Sequence, residues 1–119
     1  MQFHTRKWVK PEDLNPNGTL FGGTLLSWID EEAALCAIIE LNNNRIVTKS
    51  ISQIDFQSSA RQGDIIEIGI EVVKYRMASI VMACEVRNIR TQETILTIDS
   101  IVMANLDDKG RPRRHSKSA

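Results

Sequence analysis

The hydrophobic period of this chain switches once, and that switch restricts the fold more than any other feature of the sequence. From residue 22 to about residue 41 apolar side chains recur at helical spacing, with Leu25, Leu26, Ile29, Ala33, Ala37 and Glu40 on one face. Trp28, Leu35, Ile38 and Ile39 cover much of the rest. A helix that is apolar nearly all round is expected to be buried. At ~1.5 Å per residue it reaches ~28 Å, the width of a small domain. Asn42, Asn43 and Asn44 end it with residues that tolerate left-handed backbone.

After the helix the period becomes two. Residues 46–56 form one strand candidate. Ile66, Ile68, Ile70 and Val72 alternate next, then Ile80, Met82, Cys84 and Val86, and last Leu96, Ile98, Ser100 and Val102. The links at 74–77 and 88–93 are short, which predicts antiparallel hairpins rather than crossovers. Before the helix, residues 3–9 alternate as a first strand that Lys10-Pro11 ends. Residues 14–20 are turn chemistry, Asn-Pro followed by Asn-Gly.

These elements predict an α+β fold, a curved antiparallel five-stranded sheet wrapped around one long central helix. Residues 1–119 read as one domain, with 1–13 as an N-terminal strand or arm and 107–119 as a polar tail expected to fray. One helix leaves a sheet edge and part of a face uncovered. Apolar edge strands pair with second copies, so a homodimer assembling into a tetramer or hexamer is expected.

Charge and composition exclude several functions. Lys plus Arg equals Asp plus Glu, 15 against 15, so no global field draws the chain to nucleic acid or an anionic membrane. The longest apolar run, 33–39, is far short of the ~20 residues a bilayer needs. The first ten residues lack a signal-peptide core. Cys36 and Cys84 stand in apolar runs with no metal-ligand spacing and read as small buried hydrophobes in a reducing compartment. A cytoplasmic location follows as the expectation. The two histidines, His4 and His115, lie near the chain ends, where order is least expected. That argues against a Ser-His-Asp triad, a Cys-His pair or a metal site. Chemistry is left to carboxylates, amides, hydroxyls and backbone dipoles.

Residues 15–30, NPNGTLFGGTLLSWID, carry that chemistry. Gly22 and Gly23 open the helix, at about 1 kcal/mol each against alanine. They allow close approach to free N–H groups at a helix N-terminus, which suits an oxyanion or a phosphate. They equally suit tight packing of the helix start on a strand. Asp30 sits among Leu26, Ile29, Ala33 and Ala34, where a carboxylate is costly unless paired or functional. An interface salt bridge would also explain it. Seven helical residues separate Gly23 from Asp30 by roughly 10 Å. If both serve one reacting carbonyl, they must come from different subunits.

The pattern N-x-N-G-x-x-F-G-G-x-L-x-x-x-x-D, present as Asn15, Asn17, Gly18, Phe21, Gly22, Gly23, Leu25 and Asp30, resembles the hotdog-fold acyl-CoA thioesterases, in particular their YciA-like acyl-CoA hydrolase branch. The resemblance continues through Val47-Thr48, Phe56, Gly63-Asp64 and the stretch from Asp107 to Arg113. It departs at Ser59, where relatives often carry proline. It implies the hotdog fold and hydrolysis of acyl-CoA to fatty acid and CoA by a serine-independent route. Asp30 would be general base or nucleophile, Asn15 would orient water or polarise the carbonyl, and the Gly22 and Gly23 amides would form the oxyanion hole. No cofactor is implied, because CoA is part of the substrate. Basic residues should meet the CoA phosphates, with Arg61, Arg76 and Ser79 as candidates. Leu26 and Trp28 are candidates for the acyl pocket, although Trp28 also suits simple core packing. Asn15 also suits an Asx turn before Pro16. The alternative function is a non-catalytic hotdog module that senses acyl-CoA.

Overall fold

The computed structural model describes residues 1–117. Strand β1 is Gln2–Trp8, helix α1 is Gly22–Leu41, and the remaining strands are β2 (Ile46–Phe56), β3 (Ile65–Arg76), β4 (Ser79–Asn88) and β5 (Thr94–Asn105). The five strands form one sheet in the order β1-β3-β4-β5-β2, with every neighbouring pair antiparallel. Consecutive strands β3, β4 and β5 are hairpins, as their short links predict. The segment between β2 and β3 crosses the sheet instead, so β1 and β2 become its two edges.

The helix lays Leu25, Ile29, Ala33, Ala37 and Leu41 on the sheet, a stripe at every fourth residue. Against it pack Ile66 and Ile68 of β3, Ile80, Met82 and Val86 of β4, and Leu96, Ile98, Ile101 and Met103 of β5. Two expectations are corrected here. Leu41 rather than Glu40 completes the stripe, because Glu40 is turned toward Tyr75, whose hydroxyl donates to its carboxylate at 2.6 Å. The helix is also not buried all round: Leu35 is 49% and Ile39 78% exposed in the single chain, on the side the sheet does not reach. Asn42 ends the helix in the left-handed region at φ 51°, its N–H bonded to the Ile38 carbonyl.

β2 is long yet poorly covered. It pairs only with β5, and Val47, Ile54 and Phe56 are all substantially exposed. Lys49 and Gln53 fall outside its ladder with β5, and Gln53 has a left-handed φ of 57°. No helix among the described residues is long and apolar enough to cross a membrane.

The C-terminal segment differs from expectation. It is tied down as far as residue 117, while Ser118 and Ala119 lie outside the described residues. Arg113 N–H donates to the Asn105 carbonyl at 2.8 Å, and Asn105 Nδ2 returns a bond to the Arg113 carbonyl at 2.7 Å. His115 N–H donates to the Met77 carbonyl at 3.1 Å. The His115 ring, 9% exposed, lies 3.0 Å from the Ser79 carbonyl through Nε2 and accepts Lys117 N–H at Nδ1. Both partners are main-chain groups, a carbonyl oxygen at Nε2 and an N–H at Nδ1, which suits a donor at Nε2 and an acceptor at Nδ1. The segment is polar, and its order comes from hydrogen bonds, which hydrophobic patterning does not reveal. Replacing His115 by Phe keeps the ring volume and leaves the Ser79 carbonyl without its donor. We expect a loss of about 1–3 kcal/mol in denaturant unfolding, together with faster amide exchange confined to residues 106–117.

Candidate active site

Two separate features of the site lie at different places along α1. The first is the helix N-terminus. Residues 14–20 form a tight hairpin in which Leu14 bridges Leu20, Asn15 N–H donates to the Thr19 carbonyl at 2.8 Å, and Gly18, at φ 80°, donates to the Asn15 carbonyl at 3.0 Å. Only a residue free of Cβ strain takes that φ easily. The Asn15 amide is fixed inside this loop. Its Oδ1 accepts Asn17 N–H at 2.9 Å and Thr19 N–H at 3.2 Å, and its Nδ2 donates to Thr19 Oγ1 at 3.0 Å. The Asx-turn reading of Asn15 is therefore correct in structure, and the turn sets the amide on the lip of a cavity of about 330 Å³. Gly22, Leu25, Phe56 and Ser59 line the same cavity.

Phe21 is the N-cap residue and supplies no side-chain cap, and the first helical turn holds no acidic residue. The leading N–H groups are thus left to a ligand or to water. A Cβ on Gly22 would stand 3.2 Å from Phe56 Cζ, and one on Gly23 would stand 3.3 Å from the Phe21 ring. Each glycine accommodates an aromatic ring, and both rings are about half exposed. Close packing and an open helix terminus, the two readings of these glycines, occur together.

The second feature is Asp30. It is half-buried on the helix face toward β2, and Thr48 Oγ1 donates to its Oδ1 at 2.5 Å. Thr48 also approaches Met103 Sδ at 3.5 Å, so the hydroxyl is directed to the inner side of the sheet. Thr48 is the site residue that sequence reasoning missed as a functional group. It lay within the quoted motif, but a threonine in a strand reads as an ordinary β-former. Asp30 does not line the cavity of Asn15 and Gly22.

The other sequence candidates are dispersed. Arg61 is exposed beside the hairpin, bridged to Thr19, with its N–H on Asp64 Oδ2 at 2.8 Å. Arg76 and Ser79 face each other across the β3–β4 turn, at the far end of β3 from Arg61. Ser79 is buried beneath the C-terminal segment, and His115 occupies its carbonyl, so it does not offer the surface contact expected of it. Leu26 and Trp28 pack at the margin of the core, and Lys7 Nζ stands 4.9 Å above the Trp28 ring. Neither lines the cavity at the helix N-terminus, where Leu25 and Phe56 do. No group of histidine, cysteine and carboxylate side chains with metal-binding geometry occurs among the described residues.

A sheet in this strand order around a single helix, with an uncapped Gly-Gly helix start, defines a hotdog domain of thioesterase type. The thioesterase-superfamily profile matches residues 17–95, and the chain belongs to that family. It is 33% identical over 81 residues to the acyl-CoA thioester hydrolase YciA of Salmonella typhimurium, covering 68% of this chain and 60% of that protein. It superposes with a TM-score of 0.84 on an acyl-CoA hydrolase of Staphylococcus aureus solved with butyryl coenzyme A and coenzyme A, at 29% identity over 93% of this chain and 66% of that one. A hexameric acyl-CoA thioesterase superposes with a TM-score of 0.83 at 37% identity, over 93% of this chain and 72% of that one. The chain thus spans only about three-fifths of the length of the Salmonella relative. Alanine variants of the Staphylococcus hydrolase have been made at an aspartate, an asparagine and a threonine. Its asparagine and aspartate are 15 residues apart, as Asn15 and Asp30 are here.

The two thiols stand apart from both features. Burial, with the Glu85 and Glu32 carboxylates adding to it, pushes the Cys84 thiol up to about 12. Burial and the nearby Glu40 and Glu32 carboxylates also raise Cys36. A raised value keeps the proton on sulfur, and the thiolate is the reactive form. In the folded protein at about pH 8, iodoacetamide should leave Cys84 unmodified, and mass spectrometry should find both cysteines labelled only after denaturation.

Proposed function

We propose that this chain is an acyl-CoA thioester hydrolase whose active site is assembled from two copies. Asp30 comes from one copy. Asn15 and the Gly22 and Gly23 N–H groups come from the other. The observation that carries this is the separation of two well-formed halves: a carboxylate held by Thr48, and an open helix N-terminus about 10 Å away along the same helix. Catalysis needs donors and a carboxylate each within about 3 Å of one reacting carbonyl. A single copy does not meet that requirement. The free edge of β2, with its exposed apolar side chains, supplies the surface for the second copy.

The chemistry follows from the residue types. The leading N–H groups of α1 face the thioester oxygen as it gains negative charge, and the uncompensated helix dipole favours that charge. Asn15 gives one amide N–H to Thr19, and its second is free for the carbonyl or for water. Acting as general base, Asp30 takes a proton from water while the water oxygen attacks the carbonyl. The C–S bond then breaks, the electron pair leaves on the CoA sulfur, and that sulfur takes up a proton. Acting as nucleophile, Asp30 forms an anhydride that water opens. The Thr48 hydroxyl fixes the Asp30 carboxylate in either case. The reaction calls for no cofactor beyond the CoA carried by the substrate. Arg61, beside the Asn15 hairpin, is the better placed of the two arginines for a CoA phosphate. Arg76 stands at the opposite end of β3 from that hairpin. The coenzyme A bound by the Staphylococcus relative and the hexamers among the structural relatives support the substrate class and a homo-oligomer.

The test is thiol release from acyl-CoAs of short to long chain. Asp30→Ala should lower turnover by about 10²–10⁴-fold with the dimer retained, and Asn15→Ala by about 10²–10³-fold. Co-expression of the two variant chains should recover about a quarter of wild-type activity, because half the dimers then hold one intact site. No recovery above the parents would place both halves in one chain. Tight acyl-CoA binding without turnover in the wild type would instead mark a sensing module.

A further inference from the structure

Three groups of Thr19 are directed at one residue. Its carbonyl accepts Asn15 N–H at 2.8 Å, its N–H donates to Asn15 Oδ1 at 3.2 Å, and its hydroxyl meets both ends of the Asn15 amide. The hydroxyl oxygen accepts one Nδ2 hydrogen at 3.0 Å and turns its own hydrogen toward Oδ1 at 3.3 Å. Thr19 is itself anchored. It bridges to Arg61, and the next residue, Leu20, donates its N–H to the carbonyl of the buried Ala60 at 2.8 Å. The hairpin that carries Asn15 is thereby tied to the segment that follows β2.

Chemistry settles the direction of the amide. Asn17 N–H and Thr19 N–H both donate to the same atom, and only the oxygen of an amide receives them. Nδ2 is thereby turned to the hydroxyl. Two donors on one oxygen leave the amide plane loosely held, because the terminal torsion of asparagine is broad. The Thr19 hydroxyl takes the other end and fixes the plane. With one Nδ2 hydrogen on Thr19, a single N–H remains, beside the cavity that Asn15, Thr19 and Gly22 line together. The donors gathered on Oδ1 also polarise the amide and strengthen that remaining N–H.

We infer that Thr19 is a positioning residue for thioester hydrolysis: its hydroxyl locks the Asn15 amide so that one N–H faces the thioester oxygen at the start of α1. Toward the cavity Asn15 then donates and does not accept. It serves the negative charge that develops on that oxygen rather than receiving a hydrogen bond from water. Serine carries the same hydroxyl. Valine has the shape of threonine and no hydroxyl, so it cannot hold the amide. The effect on turnover rests on the hydrolase reading; the lock does not.

Thr19→Val and Thr19→Ala both remove the hydroxyl. Each should lower kcat about ten- to a hundredfold, as slight misplacement of a reacting group does, with KM changed far less and the oligomer retained by size exclusion. Thr19→Ser should recover most of the rate. On an Asn15→Ala background Thr19→Val should cost nothing further, because no amide is left to hold. An unchanged kcat in both hydroxyl-free variants, or the same loss with and without Asn15, overturns the assignment. The lock is read without substrate from the side-chain amide resonances of Asn15 in isotope-labelled protein. They should shift and exchange faster with water in Thr19→Val and stay near wild type in Thr19→Ser. Resonances that do not respond to Thr19→Val overturn the lock. Altered resonances in a protein whose wild type hydrolyses no acyl-CoA uphold the lock and sink the hydrolase reading alone.

Discussion

Everything in this molecule is placed by the contact of one helix stripe with the concave side of one sheet. Leu25, Ile29, Ala33, Ala37 and Leu41 meet the inward residues of β3, β4 and β5 and are almost wholly shielded from water. Burial of a single Leu or Ile side chain contributes about 1.5–3 kcal/mol, so this stripe fixes the helix rotation firmly. Once the rotation is fixed, Asp30, one position beyond Ile29, must turn toward β2. Gly22, three positions before Leu25, must present its bare Cα to Phe56 at the end of the same strand. The chemistry of the site is a consequence of helix phase.

That phase also explains how a helix start without a cap is tolerated. Most helices satisfy their first N–H groups with Ser, Thr, Asp or Asn. Here the N-cap is phenylalanine, and the loop before it spends its asparagine on its own turn. The absent cap forgoes about 0.5–2 kcal/mol of stabilisation. The fold offsets this through the core below, and the N–H groups stay available. A capping aspartate would occupy the position an oxyanion needs.

Much of this was legible in the residues. The helix is found at 22–41 and β2 at 46–56, as the period change indicates, because long apolar repeats fix element type strongly. The separation of the two features was legible too, since helix rise alone sets Gly23 and Asp30 roughly 10 Å apart. Three things were hidden. The left-handed Gln53 cannot be read from a glutamine, a residue with no preference for that region. Thr48 was hidden because its role is a hydrogen bond across 18 residues, set by sheet register rather than by local spacing. The burial of His115 was hidden because main-chain carbonyls, which every residue carries, create its pocket.

The exposed side of the single chain is the remaining constraint. β2 has both an unpaired main-chain edge and an apolar inner row that the helix covers only in part. Such an edge in isolation invites pairing with any strand. The bulge at Lys49 and the left-handed backbone of Gln53 restrict that choice, because a partner must follow both and still keep its inward residues inward. β2 also carries a contact to each of the two features of the site, Thr48 to Asp30 and Phe56 to Gly22, so whatever covers this edge bears directly on the geometry of both.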